Sequence, residues 1–262
     1  MLDQRLSLLD QRTPTWLVES LRWTTFLSPS AGIEEDWWSR VTGTPSEAKI
    51  SRPRLAGYQE QGLFDGKLLL LTVLPKRVDW QLSLAVRPEE TLPDFPSIGA
   101  IAATVPPFLQ LIRRWLEIAP HVERLAFGGV LLLPVDDPKM GYRKLSETFL
   151  RTLPIDVEGS SDFFYQINRP RVSRTAITGL RVNRLSKWSV GLYQRLMIGL
   201  TVGAGESTAE KAEGAQLYAC RLELDISTAP EFPSELPREQ LHSLSDELVE
   251  LGLEIALEGD VK

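Results

Sequence analysis

Apolar and polar positions follow two rhythms along this chain, and the rhythms locate most of its elements. Leu2, Leu6 and Leu9 recur at helical spacing and predict a short N-terminal helix. From Thr15 to Leu27 the pattern changes to alternation rich in Trp, Val, Thr and Phe, which predicts a strand. Glu34, Glu35 and Asp36 then precede Trp37 and Trp38. Carboxylates favour the positive end of a helix, so a short helix is expected to begin there. Residues 48–57 carry a proline and several bases and read as an extended connection. Asp65-Gly66 is a turn signal. It is followed by a predicted strand over 68–74, a turn at Pro75-Lys76, and an antiparallel neighbour over 78–86 with Trp80, Leu82 and Leu84 on one face. Residues 88–96 read as a loop.

Helical spacing returns over 98–119, where Phe108, Leu111, Ile112, Trp115 and Leu116 share one side. Pro106-Pro107 is placed near the start of that helix, where proline is tolerated best. Residues 122–135 read as a buried strand. Residues 138–153 read as a helix with Tyr142, Leu145, Phe149 and Leu153 on one face. Three consecutive strands are predicted over 163–168, 175–188 and 190–202, and 203–214 reads as an exposed hairpin loop. The clearest strand is 216–228: Tyr218, Cys220, Leu222, Leu224 and Ile226 point one way, Arg221, Glu223 and Asp225 the other. After a linker over 230–237 come an amphipathic helix over 239–251 and a short last strand over 253–257.

Helices and strands do not alternate, which excludes a doubly wound α/β fold. The pattern predicts an α+β protein, with antiparallel sheets and helices packed on one face. A single domain over 1–262 is expected. Strands followed by a helix occur in both 15–119 and 120–257, an order that permits two similar halves, although no residue-level repeat accompanies it.

Composition supports a full core: of 262 residues, 43% are apolar and 24% charged. No apolar run reaches the roughly 18–20 residues of a spanning helix, and Asp3 and Asp10 interrupt any signal-peptide pattern. The one cysteine, Cys220, excludes an intrachain disulfide. A cytoplasmic protein with no membrane partner is expected. The net charge of −6 hides an asymmetry. Residues 163–205 hold seven bases and no acid, whereas 206–262 hold fourteen acids and four bases.

Recognisable site chemistry is sparse, and no cofactor or metal is expected. Two histidines, His121 and His242, and one cysteine cannot build a Cys/His zinc centre. Gly62 to Lys67 falls one residue short of a phosphate loop, and Leu68 replaces its hydroxyl. Asp136-Asp137-Pro138-Lys139 matches part of a metal-dependent nuclease pattern, in which carboxylates hold Mg²⁺ and the lysine faces the phosphate. The same residues also fit a helix start, with Asp137 as cap and Pro138 first in the helix.

The basic strip Arg169, Arg171, Arg174, Arg181, Arg184 and Lys187 is the most unusual feature. It suits three roles: pairing with the chain's own acidic end, gripping a protein partner, or gripping nucleic-acid phosphates. Trp37 and Trp38 join it as candidate partner-binding residues, because Trp and Arg are enriched at interface centres.

Three stretches resemble a family of uncharacterised, sporadically distributed bacterial proteins of about this length. They are Leu17-Val18-Glu19-Ser20-Leu21-Arg22-Trp23, Gly179-Leu180-Arg181-Val182-Asn183-Arg184-Leu185, and Leu222-Glu223-Leu224-Asp225 with the later Leu241-His242. The resemblance implies an accessory or adaptor protein of a bacterial defence or toxin-type system, and it brings no catalytic residues. The leading expectation is an intracellular protein-binding adaptor or accessory subunit without catalysis. A nucleic-acid-binding module using residues 169–187, and a nuclease at Asp136, Asp137 and Lys139, are the alternatives.

Overall fold

The computed structural model describes residues 2–11, 15–86, 94–203 and 206–260. Fifteen elements follow one another. The first half holds α1 (Leu2–Asp10), β1 (Leu17–Leu27), α2 (Trp37–Thr42), β2 (Ala48–Arg52), β3 (Gly57–Phe64), β4 (Lys67–Leu74), β5 (Arg77–Ser83) and α3 (Ile101–Ile118). The second holds β6 (Val122–Val135), α4 (Pro138–Lys144), β7 (Phe164–Asn168), β8 (Arg171–Val172), β9 (Arg181–Gly203), β10 (Glu206–Thr228) and α5 (Leu241–Glu258).

All ten strands join one sheet in the order β2-β3-β4-β5-β1-β6-β10-β9-β7, with β8 also on β9, and every described pairing is antiparallel. The fold is α+β, with its helices on one face of the sheet. Trp115 of α3 donates its indole N–H to Thr25 of β1, the Cys220 thiol of β10 meets the Gly141 carbonyl of α4, and a Cβ at Gly252 of α5 would sit 3.0 Å from Phe127 of β6. Trp23 lies opposite Phe127 and beside Trp80, so these contacts share a face. One order occurs twice: strand, short helix, antiparallel meander, long helix. In each half the first strand lies beside the last, and these first strands, β1 and β6, meet in the middle of the sheet.

Several expectations are corrected. Residues 253–257 continue α5 instead of forming a strand, because Leu251, Leu253, Ile255 and Ala256 are all buried and the helix end is apolar on nearly every side. The strands expected over 175–188 and 190–202 are one strand, β9, which begins only at Arg181; nothing at Ser189 interrupts its pairing with β10. The loop expected over 203–214 is mostly strand: β9 runs to Gly203 and β10 starts at Glu206, while Ala204 and Gly205 lie outside the described residues. The connection over 48–57 forms the edge strand β2 and a turn of 3-10 helix, and β3 is a strand that the pattern did not predict. The helix expected over 138–153 stops being α-helical at Lys144 and ends in one π-helical turn over Leu145–Phe149. Pro106 and Pro107 lie inside α3 rather than near its start. The carbonyls they leave without helical donors, those of Ala102 and Ala103, belong to half-buried and exposed residues. Most of the loop expected over 88–96 lies outside the described residues.

Candidate functional site

The basic strip folds against the acidic end of the chain. Arg169 binds the Asp260 carboxylate through two nitrogens, one at 2.7 Å, and Tyr165 donates to the same group at 3.0 Å. The hydrogen bond from Arg169 holds the Asp260 carboxyl below its ordinary range. Glu254 of α5 collects three arginines: Arg5 at 2.9 Å, Arg184 at 3.2 Å and Arg171 at 3.5 Å. Arg184 is 4% exposed, and burial lowers its pKa despite that pairing. Glu247, also 4% exposed, accepts from the Ser173 hydroxyl at 2.6 Å and the Arg174 backbone N–H at 2.8 Å. The Arg174 guanidinium extends to Glu250 at 2.8 Å. On the opposite face of the sheet, Lys187 pairs with Glu223 at 3.5 Å. Arg181 is exposed and has no ion pair among the described residues.

Trp37 and Trp38 are core residues, 0% and 2% exposed, which corrects their assignment to a partner surface. Acids before aromatics did mark a helix start, but Trp37 packs edge-on against Trp115 at 5.0 Å and Trp38 tilts against Trp80 at 6.0 Å. Their rings fill the space between α2, α3 and β5.

Asp137 caps α4: its Oδ1 accepts from the Met140 N–H at 2.8 Å, and Pro138 is the first helical residue. Lys139 is drawn to Glu158 across the neighbouring loop. Among the described residues no three His, Cys, Asp or Glu side chains gather as a metal set. His121 pairs with Glu235 at 3.1 Å, and Cys220 is buried, with its thiol pushed up to about 12 by burial. No described helix is long and apolar enough to cross a membrane.

Two surfaces escaped the sequence reading. The first is the open face of the sheet. There Arg22 of β1 reaches over Gly128 of β6 towards Asp225 of β10, at 4.0 Å; a Cβ at Gly128 would stand 3.5 Å from the guanidinium. Glu19, Arg221, Glu223 and Lys187 continue this face as a ladder of opposite charges. The second is a two-stranded ribbon. The pairing of β6 with β10 ends at Tyr218, and that of β7 with β9 ends at Ser189. Beyond them β9 and β10 pair only with each other among the described strands, from Tyr193–Leu217 out to Gly203–Glu206, with one register shift between Glu213 and Gln216. At roughly 3.3 Å per residue the ribbon reaches about 40 Å past its neighbours. Its outer half was hidden because Gly203, Gly205 and the small, acidic run after them read as loop, although the strand expected over 190–202 already supplied one side of it.

Comparisons with family models, with curated proteins and with solved structures find no match to this chain.

Proposed function

We infer that the chain is a protein-binding adaptor or accessory subunit and that the β9–β10 ribbon is its binding element. The observation that carries this reading is the ribbon's backbone pairing: past Val190 and Leu217 both of its outer edges lack a described neighbouring strand. A two-stranded hairpin alone is marginal in water. Free strand edges are templates for another chain, and strand addition is a common mode of protein recognition. Residues 169–187 support a protein partner over nucleic acid, because Arg169, Arg171, Arg174, Arg184 and Lys187 already face carboxylates of this chain. Phosphates would have to displace those carboxylates.

The test is affinity capture from lysate by the full chain, at low and high salt and after nuclease treatment. The comparison is a variant in which an Asn-Gly turn joins Tyr193 directly to Leu217. Capture that survives nuclease and disappears with the shortened ribbon is expected. Nuclease-sensitive capture that is indifferent to the ribbon would overturn the reading.

A further inference from the structure

The open face of the sheet holds a hollow of about 270 Å³ above β6, near the middle of the strand order. Its floor is Gly128, and nothing in the fold requires a glycine there. The backbone of Gly128 is not in the left-handed region, and a Cβ on it would come no closer than 3.5 Å to any side chain or neighbouring strand, an ordinary contact. Gly252 of α5 is the contrast: a Cβ there would stand 3.0 Å from Phe127, so close packing uses the missing side chain. A glycine inside a strand costs stability, and such positions often mark the approach of a ligand. What a side chain at Gly128 would take away is the floor of the hollow.

Four charged groups stand around that floor: Arg22, Lys187, Glu223 and Asp225. Glu223 is engaged by Lys187 at 3.5 Å and by Arg221. Arg22 and Asp225 are not so engaged. They lie in register on either side of Gly128, 4.0 Å apart and beyond hydrogen-bond length, and neither side chain makes a hydrogen bond among the described residues. Arg22 thus offers an unfilled guanidinium fork and Asp225 an unfilled carboxylate, across a bare stretch of strand. We propose that the hollow binds a free α-amino acid, with its carboxylate on Arg22 and its ammonium on Asp225. The charges select this class. Two cations and two carboxylates leave the hollow without net charge, so a plain anion or a plain cation loses to one wall what it gains from the other, whereas a zwitterion gains from both. A guanidinium fork matches a carboxylate in two parallel hydrogen bonds. The size fits a small ligand, since about 270 Å³ lies just below the range of about 300–1,000 Å³ usual for small-molecule sites. Ser20 and Gln81 line the hollow with a hydroxyl and an amide, so the side chain it accommodates is short and polar. No residue of 194–216 takes part, so this site and the protein-binding reading stand or fall separately.

Isothermal titration calorimetry on the full chain tests the site, with L-serine, L-asparagine and L-glutamine as probes and with acetate and methylammonium as carriers of one charge each. At least one of the amino acids is expected to bind with a Kd of about 1 mM or below, and both single-charge ions about tenfold more weakly or worse. Gly128→Ala is expected to weaken binding by about tenfold or more while the thermal unfolding midpoint stays unchanged or rises, because alanine suits this backbone conformation better than glycine does. Arg22→Gln and Asp225→Asn, whose side chains are both 44% exposed, are expected to lose binding to a similar degree with an unchanged circular dichroism spectrum. The proposal is overturned if none of the three amino acids binds, if acetate or methylammonium binds as tightly, or if Gly128→Ala keeps full affinity. A lowered midpoint for Gly128→Ala overturns it too, since the glycine then serves the fold. If one charge variant alters the spectrum, the other is read alone, and full affinity in it overturns the proposal.

Discussion

The long helices α3 and α5 close equivalent halves of the sheet, yet they hold it by different chemistry. Around α3 the clamp is aromatic: Trp115 packs against Trp37 at 5.0 Å and Trp80 at 6.2 Å, and Trp38 extends the row through Trp80. Around α5 an apolar stripe is bordered by carboxylates, and Glu247, Glu250 and Glu254, with Asp260 just beyond, pin β8, β9 and the loops beside them through arginine. Each solution has its own cost. The indole N–H groups of Trp37, Trp38 and Trp80 are buried without acceptors among the described residues, as is Nε of Arg184. The aromatic clamp gains from buried area and shape, terms indifferent to pH and salt. The ionic clamp adds little net energy per exposed pair, but it ties α5 to β8, β9 and the loops beside them.

The largest effect expected from this contrast is at Trp115. Trp115→Ala removes a fully buried ring and should lower unfolding free energy in urea by about 3–5 kcal/mol, equally at low and high salt. A loss below about 1 kcal/mol would dissolve the distinction between the clamps. Glu247→Ala comes next. It strips the acceptor from the Ser173 hydroxyl and the Arg174 N–H, and should cost about 1–3 kcal/mol. Hydrogen exchange should rise in residues 171–180 before it rises in α3.

Asp260 sharpens the comparison through pH. Its pKa is depressed in the folded state, so it contributes stability above its unfolded value, near 4, that is lost as pH falls through the folded value. Asp260→Asn should therefore destabilise at pH 7 and converge with wild type in denaturation curves once the pH falls below the depressed folded value. Trp115→Ala should show no such convergence. The smallest effect is expected at Arg171. Its pairing is at 3.5 Å and Glu254 keeps two other arginines, so Arg171→Ala should cost no more than about 1 kcal/mol and less at high salt.

How far the sequence could be read depends on how local each signal was. β5, α3 and the inner end of β10 were legible because their periodicity lies in side chains that face one core: Trp80 and Leu82, then Phe108, Leu111, Ile112, Trp115 and Leu116, then Cys220, Leu222, Leu224 and Ile226 are buried as the spacing implies. The cap at Asp137 was legible as one of two readings, since a cap needs only its own next few residues. Trp37 and Trp38 were misassigned because enrichment at interfaces and enrichment in cores give a tryptophan the same appearance in sequence. Residues 169–187 were left open among three roles for a related reason: an arginine's partner is chosen by whatever the fold brings near it.

What the sequence determined by itself was the kind of element at most positions, the α+β class, and the charge imbalance that the C-terminal acids answer. Periodicity and turn chemistry act within a few residues, so they survive without a structure. Tertiary structure alone decided that ten strands form a single sheet, that the apolar end of α5 is helix, that β9 runs unbroken into a ribbon, and that Arg184 meets Glu254. Those outcomes join residues such as 184 and 254, seventy positions apart. Burial and pairing energies at that distance depend on which surfaces the whole chain removes from water.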